Sequence, residues 1–256
     1  MRRYWIPKDA REGDEVRLSG DVLHHIRDVC RMHKGSKFEV ITEGGEAHLV
    51  EIVSESKHES RAMILETRVI PQLPEPHIHL VMSVPRFPVF EAVVEKAVEL
   101  GVKSIQPFYS EFSFIRTQSD VFDKKRHRFE KIVQSATQQS GRGELMPIEE
   151  PISLDELLAK FNRTERVGGL FAYEGAGVLS AREGIEALRS ISGGGSGGVQ
   201  SVWIFVGAEG GFSEREVELF KSHGLKPVTL GPQVLRVETA CVTLVGIIKY
   251  GFDLMR

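Results

Sequence analysis

Two glycine-bearing turns are the first places where this chain has the residues to hold a ligand. One occupies residues 206–213 and reads V-G-A-E-G-G-F-S, directly after the apolar run 202–206. Glycines between a strand and a helix let the backbone approach a ligand closely, and the following helix adds exposed amide groups. A tight strand-to-helix turn without a ligand fits the same residues equally well.

The second turn occupies residues 229–240 and reads T-L-G-P-Q-V-L-R-V-E-T-A. A strand is predicted to end at Leu230, and Glu238 is predicted to open a long apolar helix. Arg236 lies between two apolar residues, which disfavours a merely solvated loop. Since ligands of open α/β sheets bind outside the carboxyl ends of strands, the two turns predict a binding site.

The elements that position these turns alternate between strand and helix beyond residue 73. Three Ser-x-x-Glu capping boxes mark helix starts at Ser153, Ser180 and Ser213. The pattern predicts strands at 77–84, 104–108, 168–173, 202–206 and 227–230, and helices at 89–100, 125–140 and 238–254. Such alternation is typical of an α/β domain with a mainly parallel sheet and helices on both faces.

The first 70 residues predict a different unit, made of short strands around one helix. Residues 37–41, 47–52 and 61–65 read as strands, and Gly44-Gly45 supplies a hairpin turn. Small β-barrels of this kind usually close on themselves. Three prolines within 71–76 then indicate a semi-rigid linker. We therefore predict two domains, 1–72 and 73–256.

Composition restricts the class of protein. Hydrophobic residues make up 41% and charged residues 27%, as in ordinary globular proteins. No apolar run reaches the ~20 residues of a membrane span, and no secretory signal pattern follows Arg2-Arg3. Cys30 and Cys241 have no spaced partners for a metal site. We expect a cytoplasmic protein without metal, whose net charge of −3 requires any nucleic-acid surface to be local.

A glycine run at 193–198 satisfies G-x-G-x-x-G but follows a helix and precedes a strand. This order is the reverse of a dinucleotide-binding fingerprint, so the run predicts a flexible loop without chemistry. The sequence also lacks a G-x-x-x-x-G-K-[ST] motif, which disfavours a nucleotide-dependent enzyme.

Five motifs in order resemble one known family. The strings G-A-E-G-G-F-S and L-G-P-Q-V-L-R-V-E-T-A are similar to the signature of the RsmE family, the 16S ribosomal RNA (uracil-N3)-methyltransferases of the SPOUT superfamily. K-A-V-E-L-G-V at 96–102 with I-Q-P at 105–107, Q-S-G-R at 139–142, and H-H-I-R at 24–27 resemble further family motifs. The resemblance covers nearly the whole chain.

This resemblance implies a C-terminal SPOUT domain with a trefoil knot, a feature nearly absent from other proteins. It also implies an N-terminal PUA-like RNA-binding β-barrel, the cofactor S-adenosyl-L-methionine, and a homodimer. The apolar residues Val242, Val245, Ile247 and Ile248 cover more than one stripe of the last helix, which favours a dimer. The implied substrate is 16S rRNA in the small ribosomal subunit. A related SPOUT enzyme acting at another RNA position and a non-catalytic ribosome-binding protein are the alternatives.

The resemblance also implies site residues. Backbone and side chains from both turns would hold the cofactor: Val206, Gly207, Glu209, Gly210, Gly211, Leu230, Gly231, Val234, Leu235, Glu238, Thr239 and Ala240. Because uracil N3 attacks only after losing its proton, a cation is needed beside the ring, and Arg236 is the candidate. Glu209 would hold the cofactor's amino group or receive the proton; alternatively, it is a carboxylate stabilised at a helix start.

Three residues depart from the family pattern. Ala208 replaces a usual proline, and Cys30 replaces a usual leucine as a small hydrophobic residue. Phe112 in S-E-F-S replaces the arginine of S-E-R-S, with Arg116 as a candidate substitute.

Candidate RNA contacts come from two basic groups. A phosphate-tracking stripe, or simply a solvated helix face, is predicted at Lys124, Lys125, Arg126, Arg128 and Arg142. Arg2, Arg3, Arg27 and Arg31 would extend it, and Tyr4 and Trp5 would offer stacking faces to an unpaired base.

Overall fold

The computed structural model describes residues 2–116, 120–191 and 198–255, so residues 193–197 of the glycine run lie outside the described residues. The chain forms two compact units, Met1–Gln72 with Gln134–Leu145, and Leu73–Val133 with Met146–Arg256. We expected 134–145 in the second domain. The segment joins the first unit because Gly143 lies against the side chain of Ile70 and the Arg3 guanidinium donates to the Gln139 carbonyl.

The first unit is a six-stranded sheet with the order β1-β4-β5-β6-β3-β2. Its strands are β1 (Arg3–Ile6), β2 (Arg11–Glu12), β3 (Glu15–Ser19), β4 (Lys37–Thr42), β5 (Glu46–Glu55) and β6 (Glu59–Val69). Strand β1 runs parallel to β4, and the other pairings are antiparallel. Gly44 and Gly45 take the predicted β4–β5 turn with φ of 115° and 80°.

The core of the first unit is built by strands β1, β3, β4, β5 and β6, which contribute buried side chains to one cluster. Helix α1 (Gly20–His24) continues as a π-helical turn at His25–Val29. Tyr4 and Trp5 are only 4% and 8% exposed, because Tyr4 enters this cluster and Trp5 packs with Ile41, Ala47 and Ile70. The prediction that these two rings offer stacking faces is therefore wrong.

The second unit is a seven-stranded sheet with the order β11-β13-β10-β12-β7-β8-β9, in which every pairing is parallel. Its strands are β7 (His77–Ser83), β8 (Ser104–Tyr109), β9 (Ile152–Ser153), β10 (Val167–Ala172), β11 (Leu179–Ser180), β12 (Ser201–Val206) and β13 (Lys226–Thr229). The predicted parallel sheet is confirmed, with β9 and β11 as short additions.

Six helices of the second unit are described. They are α2 (Phe87–Glu99), α3 (Asp120–Ser140), α4 (Leu154–Arg163), α5 (Ala181–Arg189), α6 (Glu214–Ser222) and α7 (Val237–Gly251), of which α3 ends within the first unit's segment. Helix α2 begins earlier than predicted because Pro88 is tolerated in a first turn. Helix α3 likewise begins at Asp120, where Asp120 and Asp123 suit the positive end of the helix dipole. All three predicted capping boxes are confirmed.

The sheet of the second unit has helices on both faces. Phe171, Trp203 and Phe205 point to one face and pack with residues of α4 and α6. On the other face, Gly168 and Gly184 let α5 lie close to the sheet, and α7 contacts β12, α5 and α2. The Lys249 ammonium donates to the Leu100 carbonyl at 2.9 Å and so ties the end of α7 to the end of α2.

The apolar surface of α7 differs from our expectation. Val245 and Ile248 are fully buried within the protomer, where α7 packs on its neighbours, and Ile247 is half-buried. Only Val242 of the four predicted residues is exposed. These side chains cover two stripes because the helix contacts both the sheet and other helices.

No helix among the described residues is long and apolar enough to cross a membrane. The same residues contain no group of three or more His, Cys, Asp or Glu side chains that could hold a metal ion. Cys30 and Cys241 are free thiols.

Candidate active site

A cavity of about 740 Å³ opens at the carboxyl ends of strands β10, β12 and β13. The ends of these strands and the loops after them form most of its wall. Arg86 and Val89, at the start of α2, complete the lining. The volume lies in the range of small-molecule and cofactor sites.

The turn after β12 is closed on itself. The Gly211 N–H donates to the Ala208 carbonyl at 2.9 Å, and a Cβ at Gly207 would lie 2.8 Å from the Gly211 backbone. Gly211 has a φ of 71°, which favours glycine. Ser213 then caps α6, accepting from Glu216 N–H at 3.2 Å. The three glycines of this turn, Gly207, Gly210 and Gly211, leave its backbone open to the cavity that they line.

Gly210 is a glycine because Phe112 packs against it, whereas we expected it to let the backbone approach a ligand. It lines the cavity, but a Cβ there would lie 2.8 Å from the Cβ of Phe112. A side chain at this position would displace Phe112 and not simply fill ligand space.

The turn after β13 is stabilised by one hydroxyl. Thr229 Oγ1 donates to the Gly231 carbonyl at 3.1 Å and accepts from the Gly231 N–H at 3.3 Å. Gly231 has a φ of 117°. Residues 233–238 then line the cavity and lead into α7.

Two arginines face the cavity from equivalent positions. Arg236 precedes α7 and Arg86 precedes α2, each as the helix N-cap with extended backbone angles and no side-chain capping bond. Both are exposed and line the cavity. Within the described part of the chain, neither guanidinium has a hydrogen-bond or ion-pair partner, so both are available to an anionic group.

Glu209 links the turn after β12 to the start of α2. Its Oε1 atom accepts a hydrogen bond from the Arg86 backbone N–H at 3.3 Å. The alternative of a helix-start carboxylate therefore has support, although the helix is α2 rather than the helix that follows Glu209 in sequence. Glu209 also lines the cavity together with Glu174 and Glu238.

The structure brings most of the predicted cofactor residues together. The cavity is lined by Val206, Gly207, Glu209, Gly210, Gly211, Leu230, Gly231, Val234, Leu235, Glu238 and Ala240. Thr239 is exposed on α7 and is not part of the lining. Sequence reasoning missed Arg86, Val89 and the segment 172–175, for which the only signal was Glu174-Gly175 directly after a predicted strand.

The basic run on α3 is largely neutralised within the chain. Lys124 pairs with Asp120 at 2.6 Å, Arg126 pairs with Glu150, and Arg128 Nη2 donates to Glu91 at 2.6 Å. Lys125 has no ion-pair partner among the described residues, and its ammonium lies 5.9 Å from the ring centroid of Phe87. Of the phosphate-tracking stripe predicted on α3, only Lys125 is therefore without an acidic partner among the described residues.

The candidate RNA-binding arginines of the first unit divide into three groups. Arg3 pairs with Glu39 at 2.7 Å, and Arg27 pairs with Asp28 at 3.0 Å. Arg2 and Arg31 are exposed. Arg142 is only 7% exposed and donates to Glu144 at 3.1 Å, and burial lowers its pKa. Our prediction of a surface RNA contact at Arg142 is corrected by this burial.

Comparison with known proteins defines the class. A family model described as an RNA methyltransferase domain matches residues 71–249, and one described as an RNA methyltransferase PUA domain matches 18–64. The chain therefore combines an RNA methyltransferase domain, built on a parallel α/β sheet, with a PUA domain. The predicted fold class is thus confirmed, while the trefoil knot stays a prediction.

The relatives define the family. Ribosomal RNA small subunit methyltransferase E of Aquifex aeolicus is 31% identical over 94% of this chain and 96% of its own. The Bacillus subtilis enzyme of the same name is 28% identical, and the match covers 100% of this chain and 99% of the relative. A crystal structure of a ribosomal RNA small subunit methyltransferase E from Neisseria gonorrhoeae, bound to S-adenosyl methionine, is also similar. Its TM-score is 0.78 at 26% identity, and the match covers 98% of this chain and 97% of that one. The chain belongs to the ribosomal RNA small subunit methyltransferase E family.

Proposed function

We propose that this protein transfers the methyl group of S-adenosyl-L-methionine to N3 of a uridine in 16S rRNA of the small ribosomal subunit. The observation that carries this proposal is the cavity at the two glycine turns, which Arg236 and Arg86 face without a partner among the described residues. The N. gonorrhoeae relative, which covers the same length, was solved with this cofactor.

The residues of the cavity fit the cofactor. Gly207, Gly210 and Gly211 of the closed turn line the cavity, so the backbone of this turn can lie against a ligand. The backbone of 206–211 and 230–235 would hold the cofactor, and Glu174, Glu209 and Glu238 would attract its cationic amino group or its hydroxyls. When bound, the cofactor supplies a sulfonium methyl group that is already activated toward a nucleophile.

The chain's own residues must prepare the uracil. Loss of the N3 proton leaves negative charge on the two flanking carbonyl oxygens, and a fixed cation stabilises that charge. Arg236 and Arg86 are the candidate cations. Glu209 is the candidate proton acceptor. Its Oε1 atom accepts from the Arg86 N–H, while its other oxygen has no hydrogen-bond partner among the residues that the structure describes.

We also propose that the protein acts in the cytoplasm as a homodimer. Thr239, Val242, Gly246 and Tyr250 recur on α7 at spacings of three and four residues and form an uncharged stripe, in which Val242 and Tyr250 are exposed. Val242→Glu should yield monomers in sedimentation experiments at micromolar concentration. Val121→Glu, which adds the same charge at another exposed valine, should leave the dimer intact; a monomeric wild type would contradict the proposal.

The function is tested by incubating the protein with radiolabelled S-adenosyl-L-methionine and small subunits from a strain that lacks the modification. Mass spectrometry of the digested rRNA should identify a single N3-methyluridine. A methyl group on another atom or another RNA would favour the related SPOUT activity. Ribosome binding without cofactor binding would favour the non-catalytic alternative.

A further inference from the structure

Two phenylalanines after β8 are exposed although the chain that carries them is firmly held. Phe112 is 44% and Phe114 57% exposed. The flanking Ser110 and Ser113 are buried, and Ser113 Oγ lies 3.0 Å from Ser110 Oγ and accepts from the Ser110 N–H at 2.9 Å. The Phe114 N–H donates to the Val84 carbonyl at 2.8 Å. A rigid turn that keeps large apolar rings in solvent is typical of an interaction surface.

The two rings lie beside the cavity. The Cβ of Phe112 is 2.8 Å from the point where a Cβ on the cavity-lining Gly210 would lie. The ring of Phe114 meets Phe87 edge to face, with centroids 6.4 Å apart. Phe87 directly follows Arg86, which lines the cavity.

The charges around these rings favour a polyanion. The Lys125 ammonium lies 5.9 Å from the Phe87 ring centroid, and Arg86 faces the cavity next to it. The nearest acid in sequence, Glu111, is 3.5 Å from the Arg215 guanidinium. Exposed aromatic rings flanked by cations are how proteins bind single-stranded nucleic acid, because every base has a face that can stack.

We propose that Phe112 and Phe114 form a platform on which unpaired RNA bases next to the reacting uridine stack. This inference rests on the proposed function.

Steady-state kinetics test the platform. Phe112→Leu and Phe114→Leu keep apolar bulk but remove the flat ring, and each should raise KM for the RNA about tenfold, within the range of one lost stack. The kcat and the affinity for S-adenosyl-L-methionine should change little. Phe112→Trp keeps a flat ring and should therefore have a KM close to that of the wild type. Val121→Ala, at an exposed valine on α3, is the control and should leave KM unchanged. Unchanged KM in both leucine variants would overturn the platform while leaving the function intact.

A binding experiment makes the test independent of methyl transfer. A uridine-rich single-stranded RNA with one 2-aminopurine should show stacking-dependent fluorescence quenching on the wild type and much weaker quenching on Phe112→Leu/Phe114→Leu. Lys125→Ala should instead reduce the salt dependence of binding, because it removes a phosphate contact. Equal quenching by the wild type and the double variant would overturn the proposal. Dissociation of a dimer by the double variant would also overturn it, since the rings would then contact a second copy.

Discussion

The Glu209 carboxylate accepts a hydrogen bond from the Arg86 backbone N–H at 3.3 Å. Through this bond the turn after β12 is held against the first turn of α2, where the helix dipole favours negative charge. The Arg86 side chain therefore starts from a backbone position fixed relative to the glycine turn. Glu209 combines a structural role with its candidate role in proton transfer, and the two roles can be separated.

Glu209→Gln should keep the bond to Arg86, because the amide oxygen still accepts a hydrogen bond. It removes the charge, so the single-turnover methylation rate should fall at least tenfold with little change in thermal stability. Glu209→Ala should lower both. Equal rates for Glu209→Gln and the wild type would limit Glu209 to its structural role.

Arg236→Ala should lower the single-turnover rate at saturating RNA and cofactor by ~10²–10³, the typical effect of removing one preorganised donor. Cofactor affinity should be nearly unchanged, and α7 should stay intact because Arg236 provides no side-chain cap. Arg236→Lys should recover part of the rate, since a point charge lacks the flat two-pronged contact. A wild-type rate in Arg236→Ala would mean that this residue only positions RNA.

Arg86→Ala should change the pH dependence of methylation. A cation beside the ring lowers the pKa of uracil N3, so its loss should move the rate profile to higher pH and be partly compensated there. Arg86→Lys should lie between the two. A loss of rate that is equal at every pH would assign Arg86 to phosphate or cofactor binding instead.

Gly207→Ala should weaken binding of S-adenosyl-L-methionine at least tenfold in calorimetry. The added Cβ would lie 2.8 Å from the Gly211 backbone, which must then move. The matched control is Gly198→Ala, because a Cβ at Gly198 meets nothing within 4 Å. Unchanged affinity in Gly207→Ala would show that the closed turn is not needed for the cofactor.

His79 should make stability depend on pH. Burial lowers its pKa from 6.5 to about 4, so the unfolded chain binds the proton more tightly. The contribution of neutral His79 to the free energy of unfolding is thus fully present above pH 6.5 and is lost as the pH falls toward 4. At ~1.4 kcal/mol per pKa unit, the loss is up to about 3 kcal/mol. Urea titrations at pH 7 and 5 should show a smaller difference for His79→Asn. The same difference in both proteins would contradict this assignment.

Local signals predicted much of the fold and of the site. A serine and a glutamate three residues apart suffice for a capping box, so α4, α5 and α6 begin where expected. The glycines of both turns are likewise local requirements of the backbone. They predicted the place of the binding site, because both turns end strands of one parallel sheet, whereas the individual cofactor residues were implied by the family resemblance.

Long-range relationships could not be predicted in this way. Arg86 reaches the cavity only because β7, the strand before it, pairs with β12. The basic run on α3 is neutralised by Glu91 and Glu150, which lie far away in sequence. We predicted stacking faces at both Tyr4 and Trp5, but each ring enters its own core cluster through contacts with residues far away in sequence.

The order in which the cavity wall occurs along the chain has a consequence for biosynthesis. Apart from Arg86 and Val89, all of the described residues that line the cavity lie at or after Ala172. A nascent chain grows from its N-terminus, so its earlier strands can pair before any binding site exists. The cofactor can therefore bind only after the loop before α7 has been synthesised and has packed against the sheet. Free cofactor would then stabilise the full-length folded chain but not shorter nascent chains.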